Sequence, residues 1–134
     1  MYTPEKEALL QRHIEFMELA RKQAKTDNTP KSYRFGTILA KKRRVLSFGV
    51  NRPYETHTRS EHYRFSSIHA ELDCIIGVPE KDIRGATMYV FRLSRGGKPG
   101  ISKPCKHCEE LLRRAGIRDV YYLDRNAKIK RMVL

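Results

Sequence analysis

The stretch SIHAELDCII, residues 67–76, places a histidine and a glutamate two positions apart at the start of an apolar run. Its leucine and isoleucines recur at helical spacing, and a glycine follows, so we expect a core-facing helix capped by Ser66 or Ser67. His69 and Glu71 would then lie in the first turn of that helix. Two polar, titratable side chains at the start of a helix whose apolar face packs in the core indicate a chemical role.

A second stretch, KPCKHCEELL at residues 103–112, carries Cys105 and Cys108 as a C-x-x-C pair at the start of another predicted helix, which Pro104 opens. Alone, such a pair suits a redox pair, half of a zinc ribbon or coincidence. A redox pair is expected soon after the first strand of a thioredoxin-like unit, and a zinc ribbon needs a second pair, whereas Cys74 stands alone. Together with His69, the pair supplies one nitrogen and two thiolates, the three protein ligands that a catalytic zinc takes.

The segments around these stretches alternate between helix and strand patterns. Residues 4–24 predict a helix capped by Thr3, YRFGTILA and RVLSFGV joined by KKRR predict a hairpin, and ATMYVFRL predicts a central strand. DVYYL and IKRMVL, separated by the turn DRNAK, predict a final antiparallel pair. This order predicts an α/β fold with a mixed five-stranded sheet flanked by helices, formed by a single domain over residues 1–134.

The composition limits the classes of protein to which this chain can belong. Lys and Arg number 28 against 15 Asp and Glu, and the formal net charge of +13 attracts polyanions or phosphorylated ligands. No apolar run approaches the roughly 18 residues of a membrane span. The charged start lacks the apolar region of a secretory signal, so we expect an intracellular, cytoplasmic protein. In such a chain three cysteines favour metal or redox chemistry over a disulfide framework.

The two stretches together match a known signature. His69-Ala70-Glu71 followed by Pro104-Cys105-Lys106-His107-Cys108 is the H-x-E…P-C-x-x-C pattern of zinc-dependent base deaminases. With the hairpin and the final strand pair, the sequence resembles the cytidine and deoxycytidylate deaminase superfamily from about residue 33 to the C-terminus.

The resemblance implies a three-layer, cytidine-deaminase-like fold and assigns roles to the signature residues. His69, Cys105 and Cys108 would be the ligands of a zinc ion. Zinc lowers the pKa of a bound water toward roughly 7, and Glu71 would act as the catalytic acid and base that moves its proton.

Three further residues are expected to contact the substrate. Asn51 follows the second strand, where the relatives place an asparagine that holds the sugar, although an asparagine there also suits an ordinary turn. Ala70 lies between the histidine and the glutamate of the signature. Tyr54, with Tyr63 and Phe65 in the same long polar loop, could stack on a base or pack the loop down.

We therefore expect a zinc hydrolase that converts a cytosine ring to uracil with release of ammonia, on a free (deoxy)cytidine nucleoside or nucleotide such as dCMP. The alternative is a base deaminase acting within single-stranded DNA or RNA, which the basic surface would assist. A remote alternative is a non-catalytic nucleic-acid-binding module with a structural zinc, but such a site needs no general base like Glu71. The resemblance also implies self-association as a homo-oligomer.

Overall fold

The computed structural model describes residues 3–27, 33–53 and 67–134. Its helices and strands follow one another along the chain in this order: α1 (Pro4–Lys25), β1 (Tyr33–Lys41), β2 (Arg44–Val50), β3 (Arg52–Pro53), β4 (Ser67–Ile68), α2 (Ala70–Ile75), α3 (Glu80–Ile83), β5 (Thr87–Ser94), β6 (Pro99–Gly100), α4 (Lys106–Ala115), β7 (Asp119–Leu123) and β8 (Ile129–Val133).

The main sheet has the order β2-β1-β5-β7-β8, and β6 pairs with the end of β5. β1 is antiparallel to both β2 and β5, β5 is parallel to β7, and β8 returns antiparallel to β7. The predicted mixed five-stranded sheet and its antiparallel last strand are confirmed. Because β5 and β7 are parallel, the chain needs a crossover connection between them, and α4 lies in that connection.

The sheet lies between α1 on one face and α2 with α4 on the other. Alternate residues of β1 enter opposite cores, because side chains of a strand point to opposite faces in turn. Ile38 packs in the α1 cluster with Phe16 and Met17, while Leu39 packs in the cluster of Leu72 and Leu112. The layers are therefore those expected for an α/β fold.

Helix α1 begins as its sequence predicts. The backbone N–H of Lys6 donates to the Thr3 hydroxyl at 3.1 Å, and Pro4 occupies the first helical position, where its missing N–H costs nothing. Gly36 of β1 lies so close to α1 that a Cβ there would approach the Ala24 nitrogen to 2.2 Å. This glycine sets how closely α1 packs on the sheet.

The start of α2 differs from the prediction. Ser67 lies in the two-residue strand β4, which pairs with β3, and the helix begins at Ala70 with His69 as its N-cap. Ser66 lies outside the described residues. The predicted start at Pro104 of the second helix is likewise too early, because Cys105 is the N-cap and α4 begins at Lys106. Two of the three metal-ligand candidates, His69 and Cys105, therefore stand at the boundary between an extended segment and a helix, and Cys108 lies in the first turn of α4.

Four short elements carried no sequence prediction: β3 and β4, which pair with each other, the single turn α3, and β6. In the ranges 3–27, 33–53 and 67–134, no helix combines the length and hydropathy that a membrane span requires.

Candidate active site

The side chains of His69, Cys105 and Cys108 meet in space, and their ligand atoms all lie within 4.8 Å of one another. Cys108 Sγ is 3.5 Å from His69 Nδ1. Tetrahedral zinc with bonds of about 2.3 Å to sulfur and 2.0–2.1 Å to nitrogen places such a pair about 3.6 Å apart. The donor set and its spacing therefore fit a zinc ion, and in the described part of the chain no other group of such residues does.

Two of the three candidate ligands are N-cap residues. The backbone carbonyls of His69 and Cys105 accept hydrogen bonds from Asp73 N at 2.9 Å and Glu109 N at 2.8 Å, as the first bonds of a helix do. Neither side chain forms a capping hydrogen bond. An N-cap side chain normally turns back onto the helix, so these two side chains instead extend toward the shared cluster.

The cysteines differ in exposure and in charge. Cys108 is buried, whereas Cys105 faces solvent. A hydrogen bond with Cys108 lowers the pKa of the Cys105 thiol to about 3, against burial, and hydrogen bonding to His69 adds to the effect. Cys105 is therefore a thiolate at neutral pH, the form in which cysteine binds metals.

Glu71 lies two residues after His69, in the first turn of α2, and its side chain is buried with 7% exposure. Burial raises the pKa of this carboxyl above its ordinary value, while a hydrogen bond from its own backbone N–H and the nearby His69 oppose the shift. A carboxyl that holds a proton more readily than usual is suited to act as a general base and acid.

The start of α2 is held against the β1–β2 hairpin through Ala70. Its backbone N–H donates to Asn51 Oδ1 at 2.9 Å, and its carbonyl accepts from the Thr37 hydroxyl at 2.9 Å. Gly49 makes this contact possible, because a Cβ there would lie 2.3 Å from the Ala70 oxygen. The hairpin therefore positions the residue between His69 and Glu71.

Asp73 adds a second connection between α2 and the hairpin. Its carboxylate accepts a hydrogen bond from Val50 N at 2.9 Å and pairs with Arg52 Nε at 2.5 Å. The side chain of Asp73 is almost fully buried, and a buried carboxylate without such partners would be costly. The segment from Val50 to Arg52, which carries Asn51, is thereby held at the entrance of α2.

The segment that leads to Cys105 is anchored between two strands. β7 pairs with the first three residues of β5, and the strands then separate. Ser102 fills the gap: its hydroxyl donates to Val90 O at 2.7 Å and accepts from Leu123 N at 2.7 Å. α/β proteins bind ligands in crevices at the carboxyl ends of parallel strands. The segment that Ser102 anchors in this crevice leads directly to the start of α4.

The structure brings the three predicted ligands together, but the sequence analysis missed several residues that position them. Thr37, Gly49, Asp73 and Ser102 were not singled out. Two of them carried a signal: a glycine inside a strand marks a close backbone approach, and an acid inside the apolar run 67–76 needs buried partners. Tyr54, with the predicted loop at 54–66, lies outside the described residues. Cys74 is fully buried and is not part of the metal-ligand cluster.

Comparison with known proteins agrees with this geometry. The sequence profile described as the cytidine and deoxycytidylate deaminase zinc-binding region matches residues 10–124. The chain belongs to the cytidine and deoxycytidylate deaminase family. Zinc is the metal of that region, and the cluster of His69, Cys105 and Cys108 suits it. No match was found among curated protein sequences.

Solved structures of other deaminases share the fold. The dCMP deaminase from the cyanophage S-TIM5 superposes with a TM-score of 0.59 at 19% identity, over 92% of this chain and 86% of that one. Acinetobacter baumannii RibD gives 0.54 at 20% identity, over 83% of this chain but 27% of that protein. Cytidine deaminase from Mycobacterium leprae gives 0.50 at 18% identity, over 88% and 91%. At these identities the likeness establishes the fold of this family member.

Proposed function

We propose that this deaminase-family chain is a zinc-dependent hydrolase that converts the cytosine ring of a free nucleoside or nucleotide, such as dCMP, to uracil. The observation that carries the proposal is the meeting of three zinc-type ligand atoms within 4.8 Å, beside a buried glutamate at the same helix start. A structural zinc site would call for four protein ligands and no neighbouring acid.

In this proposal each residue of the cluster has one task. His69, Cys105 and Cys108 hold zinc and leave one position for water or substrate. Bound there, zinc supplies a Lewis acid that makes a water molecule more acidic. The two thiolates and the imidazole keep the metal at the junction of α2 and α4, where the hairpin and Ser102 position them.

Glu71 moves the protons. Its carboxylate takes a proton from the attacking water and passes it to the ring nitrogen. It then takes the second proton from the hydroxyl formed at C4 and delivers it to the departing amino group. The oxygen of water becomes the new carbonyl at C4, the C4–N bond to the amino group breaks, and ammonia leaves. The buried position of Glu71 favours this shuttle, because burial raises the pKa of the carboxyl and makes it a stronger proton acceptor.

Asn51, Ala70 and Tyr54 are proposed to contact the substrate. Because the carbonyl oxygen of the Asn51 side chain receives the Ala70 N–H, its amide NH₂ is the group left to donate to a sugar hydroxyl. The choice of a nucleotide is supported by the S-TIM5 enzyme, a structure of which was solved in complex with dCMP and dUMP.

A panel of substrates tests the proposal. The protein is incubated with cytidine, deoxycytidine, their monophosphates, adenosine and a cytosine-bearing single strand, and ammonia release is followed together with zinc content. We expect turnover of one free cytosine species by protein that holds about one zinc per chain. Turnover confined to adenosine or to the strand would overturn the substrate, and zinc-free protein with a Cys105–Cys108 disulfide would overturn the metal.

A further inference from the structure

A strongly basic groove lies at the end of the sheet where β1 ends and β5 begins. Two adjoining cavities of about 490 and 640 Å³ share Arg12, Lys41 and Lys42 in their walls. Arg43 and Arg44 line the larger cavity. We call this surface the hairpin groove. Nothing in the deamination chemistry uses it.

Two more cations, Arg118 and Arg131, line the smaller cavity, and the two carboxylates in the walls do not balance the seven positive charges. The carboxylate of Asp119 already has two partners: it pairs with Arg131 Nε at 2.8 Å and accepts a hydrogen bond from the Thr87 hydroxyl at 2.6 Å. Asp82 is the other acid. A groove with this excess attracts anions from solution.

The hairpin groove is separate from the metal-ligand cluster. Thr87, in its wall, begins β5, whereas the cluster follows the other end of that strand. Thr37, which binds Ala70 at the start of α2, pairs with Val90, three residues beyond Thr87 and thus about 10 Å along the strand at 3.3 Å per residue. α2 also lies on the sheet face opposite α1, whose Arg12 lines the groove.

The cations are spread rather than gathered at one point. Arg44 begins β2, one edge of the sheet, and Arg131 lies in β8, the other edge. Four strand spacings separate those edges, about 19 Å at 4.8 Å each. A single phosphate or a triphosphate cannot meet charges distributed over that length, but the repeated phosphates of a nucleic-acid strand can.

The turn between β1 and β2 carries a lysine, Lys42, in a backbone conformation that lysine rarely adopts. Lys42 has φ of 57°, a left-handed value for which glycine or asparagine is the usual choice in a two-residue hairpin. Lys42 lines both cavities, so its side chain adds a positive charge to the groove.

Aromatic surface lies in the same groove. His13 and Tyr121 both line the smaller cavity and stack with ring centroids 4.1 Å apart. An unpaired base can contact these rings, whereas the bases of a duplex are turned inward. We propose that the hairpin groove binds single-stranded nucleic acid through its phosphates, at a site distinct from the deaminating centre.

Binding of a fluorescent oligothymidylate about 12 nucleotides long, followed by polarisation over a salt series, tests this site. Thymine has no exocyclic amino group, so the probe is not a substrate. The groove variant is Lys42→Gly with Arg43→Gln, in which glycine suits the positive φ and preserves the fold. The matched control is Arg125→Gln with Lys128→Gln, the same charge change in the exposed turn between β7 and β8.

We expect the groove variant to bind on the order of tenfold more weakly at low salt, with a salt slope shallower by about 1.4, or 0.7 for each lost phosphate contact. The control variant should bind nearly as the wild type does, and both should keep the wild-type zinc content. Equal losses in the two variants, or none in the groove variant, would overturn the site. Thymidine triphosphate competing as well as the oligonucleotide would overturn the strand as its ligand.

Discussion

Replacing Gly49 by alanine should damage both the stability of the protein and its metal centre. The added Cβ would lie 2.3 Å from the Ala70 oxygen and 2.4 Å from the Thr37 hydroxyl oxygen. Ordinary contact begins near 3.4 Å, so β2 and the start of α2 must separate by about 1 Å. Two of the three nearest atoms, Ala70 O and Cys74 N, belong to the backbone of α2, so movement of the Thr37 side chain alone cannot absorb the change.

The cost can be estimated from its parts. Overpacking costs about 1–3 kcal/mol, and loss of the hydrogen bond from Thr37 to Ala70 adds about 1 kcal/mol. A total of about 3 kcal/mol, against an unfolding entropy of about 2.1 cal/mol/K for each of 134 residues, lowers Tm by about 11 °C. Because Ala70 adjoins His69, zinc affinity should also fall, by about 10–100-fold.

Two alanine variants serve as controls in thermal melts and zinc titrations. Gly36→Ala meets the α1 backbone at 2.2 Å and should lose similar stability, but α1 lies on the other face, so zinc affinity should hold. Gly96→Ala meets nothing closer than Ser94 Oγ at 3.9 Å and should melt like the wild type. The reasoning is refuted if Gly49→Ala melts within about 2 °C of wild type, or if Gly36→Ala weakens zinc binding as much.

The other predictions concern single side chains. Glu71→Gln should keep zinc and fold but lose about 10²–10⁴-fold or more in turnover, since an amide cannot shuttle a proton; near-wild-type ammonia release would contradict this. Cys74→Ala should lose about 1–2 kcal/mol in urea unfolding at unchanged zinc content, because this fully buried thiol packs the core. Hydrogen bonds from the backbone N–H groups of Lys128 and Asn126 lower the pKa of Asp124. Its stabilisation is therefore present above the ordinary pKa of about 3.9 and lost as pH falls through the folded value, so the Tm difference from Asp124→Asn should shrink in acid.

Local patterns predicted most of the elements because the relevant physics is local. The near-continuous burial of β1 and β5, which are covered on both faces, and the Thr3 cap of α1 can be read from neighbouring residues. The metal ligands were predictable because C-x-x-C and H-x-E restrict which residue types can share one metal. The contacts that hold them were not, since Ser102 joins β5 to β7 across a gap that no spacing in the sequence reveals.

The boundaries of α2 and α4 show a second reason why the sequence prediction was incomplete. A serine or proline before a helical pattern normally marks its start, and by that rule Ser67 and Pro104 were chosen. In the structure His69 and Cys105 take the N-cap positions, because an N-cap side chain lies outside the helix and can reach a neighbour. At these two positions the residue type is explained by membership in the metal-ligand cluster and not by a preference for the N-cap position.

The outer strands of the sheet limit how two copies of this chain could join. β8 is an edge strand, and Lys130 and Arg131 stand exposed at its middle. Pairing β8 with β8 of a second copy in an antiparallel ribbon centred on Arg131 would set guanidinium opposite guanidinium, and like charges directly across a ribbon repel. Charged edges of this kind keep sheets from growing by addition. β2 is the other outer strand of this sheet, and Phe48 there is 51% exposed, so pairing with a second copy is less opposed along β2.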